Sequence, residues 1–382
     1  MQGSVRKKGG KWYYSFEVGR VNGKRKRVER AGGSTKAEAE KALRQALNEF
    51  EKCGSVVDES NISTADYFDY WYKEYVLVNL KYNTQQDYKR IINKHIKPAL
   101  GSYRLKTLKP STLQGFLNKK YVEGFSKNSI RGFYGVLSGA LKQAVYPYQF
   151  IKQSPMIYVK MPKFDNIENE DKLKIITIDQ FKTILKRFPQ GSNFYIPLQI
   201  AFNTGMRAAE VCGLTWGCVD LENKNIRVEK ILIGKGKGIW EFGTPKTKSS
   251  HRTIDIGDTL VKILKRHQTW QKENKLKYGR YYANSNFVCT KENGEPITTG
   301  SLKYLSRVVN YELGIKFHFH SLRHTHATML LESGAQPKEI QKRLGHSKIS
   351  TTMDTYSHVT KKMKNNTINI LKNEVLKKLP TL

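Results

Sequence analysis

The sequence is poor in cysteine, and its cysteines lack the paired spacings that usually indicate a structural role. Four cysteines stand among 382 residues, at Cys53, Cys212, Cys218 and Cys289, and no two of them form a CxxC pair. Scattered cysteines favour reduced thiols over a disulfide framework or a zinc site. We therefore expect a cytoplasmic protein whose cysteines hold no metal.

Long hydrophobic runs are also missing. No apolar stretch approaches about twenty residues, the length that a membrane-spanning helix requires. The N-terminus has no recognisable signal peptide, and Gln2 stands where a myristoylation start would place glycine. These observations predict that no membrane is a partner of this chain.

Acidic residues are heavily outnumbered by basic ones. The chain has 33 Asp and Glu against 67 Lys and Arg, which gives a formal net charge of +34 at pH 7. This excess favours a nucleic-acid partner, because cations that neutralise phosphates release condensed counterions. Hydrophobic residues make up 38% of the chain, which is enough for buried cores. The length predicts two or three domains.

Residues 1–60 have the pattern of a small sheet followed by one helix. The aromatic run 11–18 predicts a strand, Asn22-Gly23 predicts a hairpin turn, and the residues after it predict the returning strand. Thr35 and Glu38 have the spacing of a helix capping box. The returning strand begins with four cations that we predict to contact DNA, a solvated basic hairpin being the alternative: Lys24, Arg25, Lys26 and Arg27.

Residues 61–162 are predicted to be all-helical. Pro110 fits the first turn of a helix that carries Leu113, Phe116, Leu117 and Tyr121 on one face. The many aromatic side chains of this region are expected in its core rather than on a base-stacking surface. Its polar and basic residues could line a duplex, and Lys81 and Arg131 are two further candidate DNA contacts among them.

A polar stretch, 163–174, is predicted to be a linker, and the pattern after it becomes mixed α and β. Strands are predicted at 226–233, near 239–242 and at 252–256, with helices around them. The expected fold class is therefore multidomain α+β: a sheet-plus-helix domain, an all-α domain and a mixed α/β domain.

Four segments of the third region carry residues suited to phosphoryl transfer. They are Thr204-Gly205-Met206-Arg207 with Glu210 after it, Pro245 to Lys248, His320 to His324, and Leu344-Gly345-His346 with Tyr356 beyond. Two arginines can neutralise a phosphate without a metal, because each guanidinium presents a planar fork of donors. A lysine can protonate a leaving oxygen, and a tyrosine can form a covalent link.

The order and spacing of these segments resemble the tyrosine recombinases, or phage-type integrases. That family combines an arginine in a first box, a lysine in a β-hairpin, and then the sequences HxLRH, LGH and tyrosine. The resemblance spans roughly residues 175–360 and is most similar to integrases of temperate phages and conjugative transposons of Gram-positive bacteria. It implies a site-specific recombinase that integrates and excises a mobile element and requires neither metal nor ATP nor any other cofactor.

The resemblance also implies a role for each residue. Tyr356 would attack the scissile phosphate and form a 3′-phosphotyrosyl link, while Arg207 and Arg323 hold that phosphate. Lys246 would protonate the leaving 5′-oxygen, although Lys235, Lys237 and Lys248 are rivals for this role. The remaining assignments are His320 as the group that takes or shares the tyrosine proton, His346 as a hydrogen bond to phosphate, and Glu210 as a support for the site.

Three other interpretations compete with this one. His318, His320, His324 and His326 are clustered and could bind zinc, but Arg323 lies on the same helix face and would repel a cation. A non-catalytic DNA-binding protein would explain the charge but not the ordered motifs. A type IB topoisomerase would use similar chemistry, but two N-terminal DNA-binding units favour a sequence-specific recombinase.

The resemblance implies three functional domains. Residues 1–60 would bind arm-type DNA sites, 61–162 would form a helical core-binding domain, and 175–382 would form the catalytic domain. A helical tail after Tyr356 either packs on its own domain or, as we favour, docks on a neighbour in a DNA-bound homotetramer. Double-stranded core and arm attachment sites, an excisionase and a DNA-bending protein are the expected partners.

Overall fold

The computed structural model describes residues 3–21, 24–53, 61–164, 175–236, 238–245 and 248–350. The chain divides into two compact units, Met1–Ile167 and Glu168–Leu382. The predicted linker falls almost wholly outside the described residues, and so do the Asn22-Gly23 turn, Lys246, Tyr356 and the tail. Within the described ranges, no helix is both long enough and apolar enough to cross a membrane.

The two strands predicted in the N-terminal region form a sheet, and a further strand precedes them. Its antiparallel strands lie in the order β1-β2-β3 and are β1 (Gly3–Lys8), β2 (Lys11–Val21) and β3 (Lys24–Gly33). Helix α1 (Lys36–Cys53) follows the sheet.

The capping box predicted before α1 is confirmed. The Thr35 amide donates to Glu38 Oε2 at 3.1 Å, and the Glu38 amide donates to Thr35 Oγ1 at 3.3 Å. Gly32 lets the helix approach β3, because a Cβ at this position would lie 2.6 Å from Ala39 Cα. The first turn of α1 is therefore held close against the strand that precedes it.

The region 61–164 is helical, which confirms the prediction. Its core is almost entirely aliphatic and aromatic, and Tyr67, Phe68 and Trp71 are at most 1% exposed. Its α-helices are α2 (Thr64–Trp71), α3 (Leu77–Asn79), α4 (Tyr82–Ile91), α5 (Lys97–Leu100), α6 (Pro110–Val122) and α7 (Lys127–Val145). Two π-helical turns, Tyr72–Val76 and Ile92–Ile96, and two 3-10 turns, Leu105–Thr107 and Pro155–Tyr158, complete the region.

Pro110 occupies the first turn of α6, as predicted. The apolar face predicted for this helix is correct except at its end. Leu113, Phe116 and Leu117 are buried, whereas Tyr121 is 38% exposed. The Tyr121 ring packs edge-on against Phe164 at 5.0 Å between centroids, at the margin of the core.

The described residues of the second unit form helices α8 to α14 and two small sheets. The helices are α8 (Ile178–Arg187), α9 (Tyr195–Thr204), α10 (Ala208–Cys212), α11 (Asp258–Tyr278), α12 (Thr299–Glu312), α13 (Ser321–Glu332) and α14 (Pro337–Leu344). The strands are β4 (Val219–Asp220), β5 (Asn225–Val228), β6 (Ile231–Gly236), β7 (Ile239–Gly243) and β8 (Arg252–Asp255). Short 3-10 turns lie at Trp216–Cys218, Lys248–Ser250 and Gly279–Tyr281.

The strand predicted over 226–233 is wrong as a single element. It is two strands, β5 and β6, separated by the charged pair Glu229 and Lys230. β5 lies between β4 and β8 in one antiparallel sheet, whereas β6 pairs with β7 in a two-stranded sheet. The β6–β7 hairpin therefore lies in the chain between β5 and β8, which pair with each other. β8 belongs to the sheet of β5 and is not part of this hairpin.

Candidate active site

The turn that delivers Arg207 depends on one glycine. Helix α9 ends at Gly205, which has φ +66°, and Arg207 then caps the N-terminus of α10. A Cβ on Gly205 would lie 2.5 Å from Leu344 Cδ2 and 2.9 Å from His326 Cδ2. Only glycine satisfies both the positive φ and this close packing, so the TGMR motif holds its arginine at a fixed place against α13 and α14.

Glu210 orients Arg207 and also holds a second arginine. Its carboxylate accepts hydrogen bonds from Arg207 Nη1 at 2.8 Å and from the Arg207 amide at 2.9 Å. Arg252 Nη2 donates to the same carboxylate at 2.9 Å. Burial raises the pKa of Glu210, but the bonds and charges of Arg252 and Arg207 outweigh burial and lower that pKa overall. Glu210 is therefore a carboxylate at neutral pH that holds the side chains of Arg207 and Arg252.

Arg323 lies in the middle of the site and is 3% exposed. Its Nη1 donates to Gly205 O at 2.9 Å, and its Nη2 donates to Leu344 O at 2.8 Å. Burial, followed by the charge of Arg207, lowers the pKa of Arg323 to about 9, so the guanidinium keeps its charge at neutral pH. Arg207 Nη2 similarly donates to Gly345 O at 3.2 Å. The two guanidiniums therefore join the TGMR and LGH motifs.

The histidines beside this pair are neutral at neutral pH. Burial and the charges of Arg323 and Arg207 lower the pKa of His346 to about 3. Burial, followed by the proximity of His324, lowers the pKa of His320 to about 4. The rings of His320 and His324 meet edge-to-face with centroids 4.8 Å apart. Neutral imidazoles can accept or share a proton, which is the chemistry expected of His320.

Of the six predicted catalytic residues, the described part of the chain brings four together: Arg207, Arg323, His320 and His346. Lys246 and Tyr356 lie outside the described residues. Among the rival lysines, Lys235 forms an ion pair with Glu241 across the β6–β7 hairpin. The assignment of the general acid stays a prediction.

The sequence interpretation missed Arg252, although it stands close to the predicted lysine. The side chain is 6% exposed. Besides Glu210 it reaches Arg343 O through Nε at 2.7 Å and Ser250 O through Nη1 at 3.0 Å. The sequence offered one signal for it: Arg252 is the first residue of a short predicted strand that follows the segment Pro245 to Lys248. Its burial depends on contacts distant in sequence, which no local pattern reveals.

The remaining predictions concerned the candidate DNA contacts and the histidine cluster. Lys81, Arg131 and Arg27 are exposed, as DNA contacts require, whereas the side chains of 24–26 lie outside the description. His326 of the histidine cluster uses both ring nitrogens, Nδ1 with Phe202 O at 2.9 Å and Nε2 with Arg343 Nε at 3.0 Å. A metal ion would have to displace one of these bonds.

Paired arginines on a mixed helix-and-sheet domain, preceded by a helical region and a small basic sheet, are the arrangement expected of a DNA strand-breaking and rejoining enzyme. Three family models match in the same order: an arm DNA-binding domain over 4–50, the N-terminal SAM-like domain of phage integrases over 65–121, and the phage integrase family over 174–363. The chain belongs to the phage integrase family of tyrosine recombinases, a class that uses neither metal nor ATP.

Curated relatives agree with this membership. A tyrosine recombinase XerC-like protein of Caldanaerobacter subterraneus is 32% identical, with 95% of this chain and 97% of the relative covered. The ICEBs1 integrase of Bacillus subtilis is 27% identical, with 74% and 75% covered. The integrase of Staphylococcus phage L54a is 28% identical, with 68% and 82% covered.

Solved structures share the fold. The Tn1549 transposon integrase, in complex with transposon right end DNA, matches with TM-score 0.64 at 23% identity and covers 82% of this chain and 100% of that one. A lambda integrase tetramer bound to a Holliday junction matches with TM-score 0.57 at 17% identity, covering 92% and 94%. The expected fold class is thereby confirmed, and the relatives place the chain among site-specific recombinases.

Proposed function

We propose that this chain integrates and excises a mobile element by way of a 3′-phosphotyrosyl DNA intermediate. The observation that carries the proposal is the pair of guanidiniums of Arg207 and Arg323, held by Glu210 and by backbone carbonyls beside two neutral histidines. A guanidinium presents more N–H groups than these bonds use, so each arginine can still donate to a phosphate. Relatives from a conjugative element and from a phage support the element class.

In this mechanism the phosphate charge that builds up during transfer falls on Arg207 and Arg323. His346, being neutral, donates a hydrogen bond to a phosphate oxygen. Tyr356 attacks phosphorus, and its proton passes to or is shared with His320. The bond to the 5′-oxygen breaks, and Lys246 gives that oxygen its proton. A 5′-hydroxyl of the partner strand then reverses these steps, so the energy of the phosphodiester bond is conserved without ATP.

The domain assignment is part of this proposal. Residues 1–60 bind arm sites through Lys24 to Arg27, and 61–162 bind the core site with Lys81 and Arg131 among its contacts. Residues 163–174 link them to the catalytic domain, 175–382. The three family matches and the exposure of the described cations support this division. The enzyme works in the cytoplasm as a tetramer on DNA, aided by an excisionase and a DNA-bending protein.

The proposal is tested with a nicked duplex that carries the candidate attachment site, which traps a covalent adduct when the short strand diffuses away. We expect the wild-type protein to form an adduct whose peptide map places the DNA on Tyr356. Tyr356→Phe should bind the duplex normally and form no adduct, because it lacks only the hydroxyl. An adduct in that variant contradicts the nucleophile assignment. Equal cleavage of arbitrary supercoiled plasmid favours a type IB topoisomerase instead.

A second substrate tests which lysine is the general acid. A 5′-bridging phosphorothiolate has a sulfur leaving group that departs without a proton. Lys246→Ala should therefore be slow on ordinary DNA and close to wild type on this substrate. Lys235→Ala and Lys248→Ala should change neither rate. Rescue of Lys248→Ala instead of Lys246→Ala contradicts the assignment and moves it by two residues.

A further inference from the structure

Helix α13 presents two side chains, Arg323 and His326, toward the same pair of loops. They are three residues apart and so share one face of the helix. Arg323 joins the end of α9 to the end of α14 by bonding Gly205 O and Leu344 O. His326 lies over the same junction one turn further along, where its ring would lie within 2.9 Å of any Cβ on Gly205.

The partners of His326 fix its protonation and tautomer. Phe202 O can only accept a hydrogen bond, so His326 Nδ1 must carry the proton that joins them at 2.9 Å. Arg343 Nε can only donate, so His326 Nε2 must be the acceptor at 3.0 Å. The neutral ring with its proton on Nδ1 is therefore the only form that satisfies both bonds. Burial and the charge of Arg343 likewise lower the pKa of His326 to about 4.

Arg343 completes the link from the side of α14. Besides His326, its Nη2 donates to Asn203 O at 3.3 Å. Its own carbonyl accepts from Arg252 Nε at 2.7 Å. Arg343 stands two residues before Gly345, whose carbonyl receives Arg207, and three before His346. Arg343 therefore binds α13 and the end of α9 through its side chain and binds Arg252 through its backbone carbonyl.

We propose that His326 and Arg343 act as a pair of positioning residues that set the spacing between the turn carrying Arg207 and the LGH turn carrying His346. The pair acts through the backbone of the two turns and not on the phosphate itself. It forms a second cross-link beside that of Arg323. Misplacement of a reacting group by about 1 Å costs roughly 100-fold in rate, so loss of this link should slow the chemical step. The inference rests on the proposed function, since it concerns the same transfer.

The test is single-turnover cleavage of the nicked duplex by the full-length protein, which separates the rate constant from the fraction of active molecules. His326→Phe keeps a ring of similar shape and removes both nitrogens. We expect its rate constant to fall roughly 10- to 100-fold with DNA affinity unchanged. Arg343→Lys keeps the charge and loses the fork, and should fall similarly. The double variant should be no slower than the slower single variant, because both remove one link.

Thr325→Val is the matched control on the same helix. Its hydroxyl accepts a buried bond from the Ile176 amide at 2.8 Å, away from the two turns. It should lower the melting temperature and leave the rate constant unchanged. A purely structural role for His326 would give the same result as this control, and that outcome overturns the inference, as would full additivity of His326→Phe and Arg343→Lys.

A readout that does not depend on catalysis separates this inference from the proposed function. In ¹⁵N-histidine spectra of the free wild-type protein, His326 should show the neutral tautomer with its proton on Nδ1. Arg343→Lys should perturb that signal. A proton on Nε2 contradicts the inference whatever the protein does to DNA. Failure of the wild type to form any adduct contradicts the proposed function and leaves this measurement standing.

Discussion

The helical region 61–164 and the catalytic unit 175–350 bury very different side chains. Among their described residues, Thr64 is the buried polar residue of the helical region, while its interior is otherwise hydrocarbon and aromatic. The catalytic unit buries the charged groups Glu210 and Arg323 along with several neutral polar groups, His326 among them. Burying an unpaired charge is costly, so the second interior requires partners for every charge that it holds.

The difference separates an interior that stabilises the fold from one that also positions charged side chains. The helical region is stabilised by close packing of side chains that need no specific partner. In the catalytic unit, each buried cation is satisfied by a carbonyl or by Glu210, and those partners come from different segments of the chain. In the proposed mechanism, an interior of this kind holds the guanidiniums in place for a phosphate.

The largest effect should follow from Glu210→Gln, which removes the carboxylate that Arg207 and Arg252 share. The amide cannot balance the charges of Arg207 and Arg252, and breaking such a buried pair costs roughly 3–5 kcal/mol. We expect a large fall in the free energy of unfolding and at least about a 100-fold slower cleavage, since Arg207 loses its orientation. Urea unfolding and single-turnover cleavage measure the two effects.

The matched control is Asp69→Asn in the helical region, where Asp69 pairs with Lys97 at the surface and is 65% exposed. An exposed pair is worth less than about 1 kcal/mol, so stability should barely change. If the two variants lost equal stability, the contrast between the two interiors would be wrong.

A smaller effect is expected from pH. The pKa of His267, His320 and His326 is lowered to about 4 and that of His346 to about 3, in each case chiefly by burial. In the unfolded chain these groups titrate near about 6.5. Their contribution to stability is therefore complete above that pH and is lost as the pH falls toward 4, where the unfolded state binds more protons.

Hydrogen exchange of the full chain at pH 7 and pH 5, corrected for the intrinsic rates, checks this expectation region by region. Amides of α13 should lose much more protection at pH 5 than amides of α7. The region 61–164 contains a single histidine, His95. Burial lowers the pKa of His95, but this histidine lies at the edge of the core. Equal loss in both helices would contradict the assignment of the acid sensitivity to the catalytic unit.

The smallest effect concerns the N-terminal sheet. Replacing Lys24, Arg25, Lys26 and Arg27 together by alanine should weaken binding to long attachment DNA without changing cleavage of a core site. Each lost phosphate contact should reduce the slope of log affinity against log salt by roughly 0.9. A matched loss of charge on the exposed face of α11, by alanine at Lys262, Lys265, Lys272 and Lys275, should leave the slope nearly unchanged. Equal slopes for the two variants would refute arm binding by this strand.

Local signals predicted much of the fold. The capping box of α1 and the proline that begins α6 follow from neighbouring residues, whereas the order of the arginine and histidine motifs pointed to the candidate site through its resemblance to the tyrosine recombinases. Strand pairing did not follow from neighbouring residues. β5 pairs with β8, and no local signal in the sequence shows that the β6–β7 hairpin is inserted between them. Arg252, His326 and Arg343 were missed as supports for the same reason: their partners lie 42, 124 and 140 residues away.

The proposed chemistry depends above all on two guanidiniums, the partly exposed one of Arg207 and the buried one of Arg323, taking the place of a metal ion at the scissile phosphate. The most direct measurement is adduct formation on the nicked duplex after dialysis against a chelator, with wild-type protein and Arg207→Lys side by side. The wild type should react at an unchanged rate without divalent ions. Arg207→Lys should be slower by roughly 100-fold or more, because a point charge lacks the fork of donors. Loss of wild-type cleavage in the chelator, restored by zinc alone, would contradict the account.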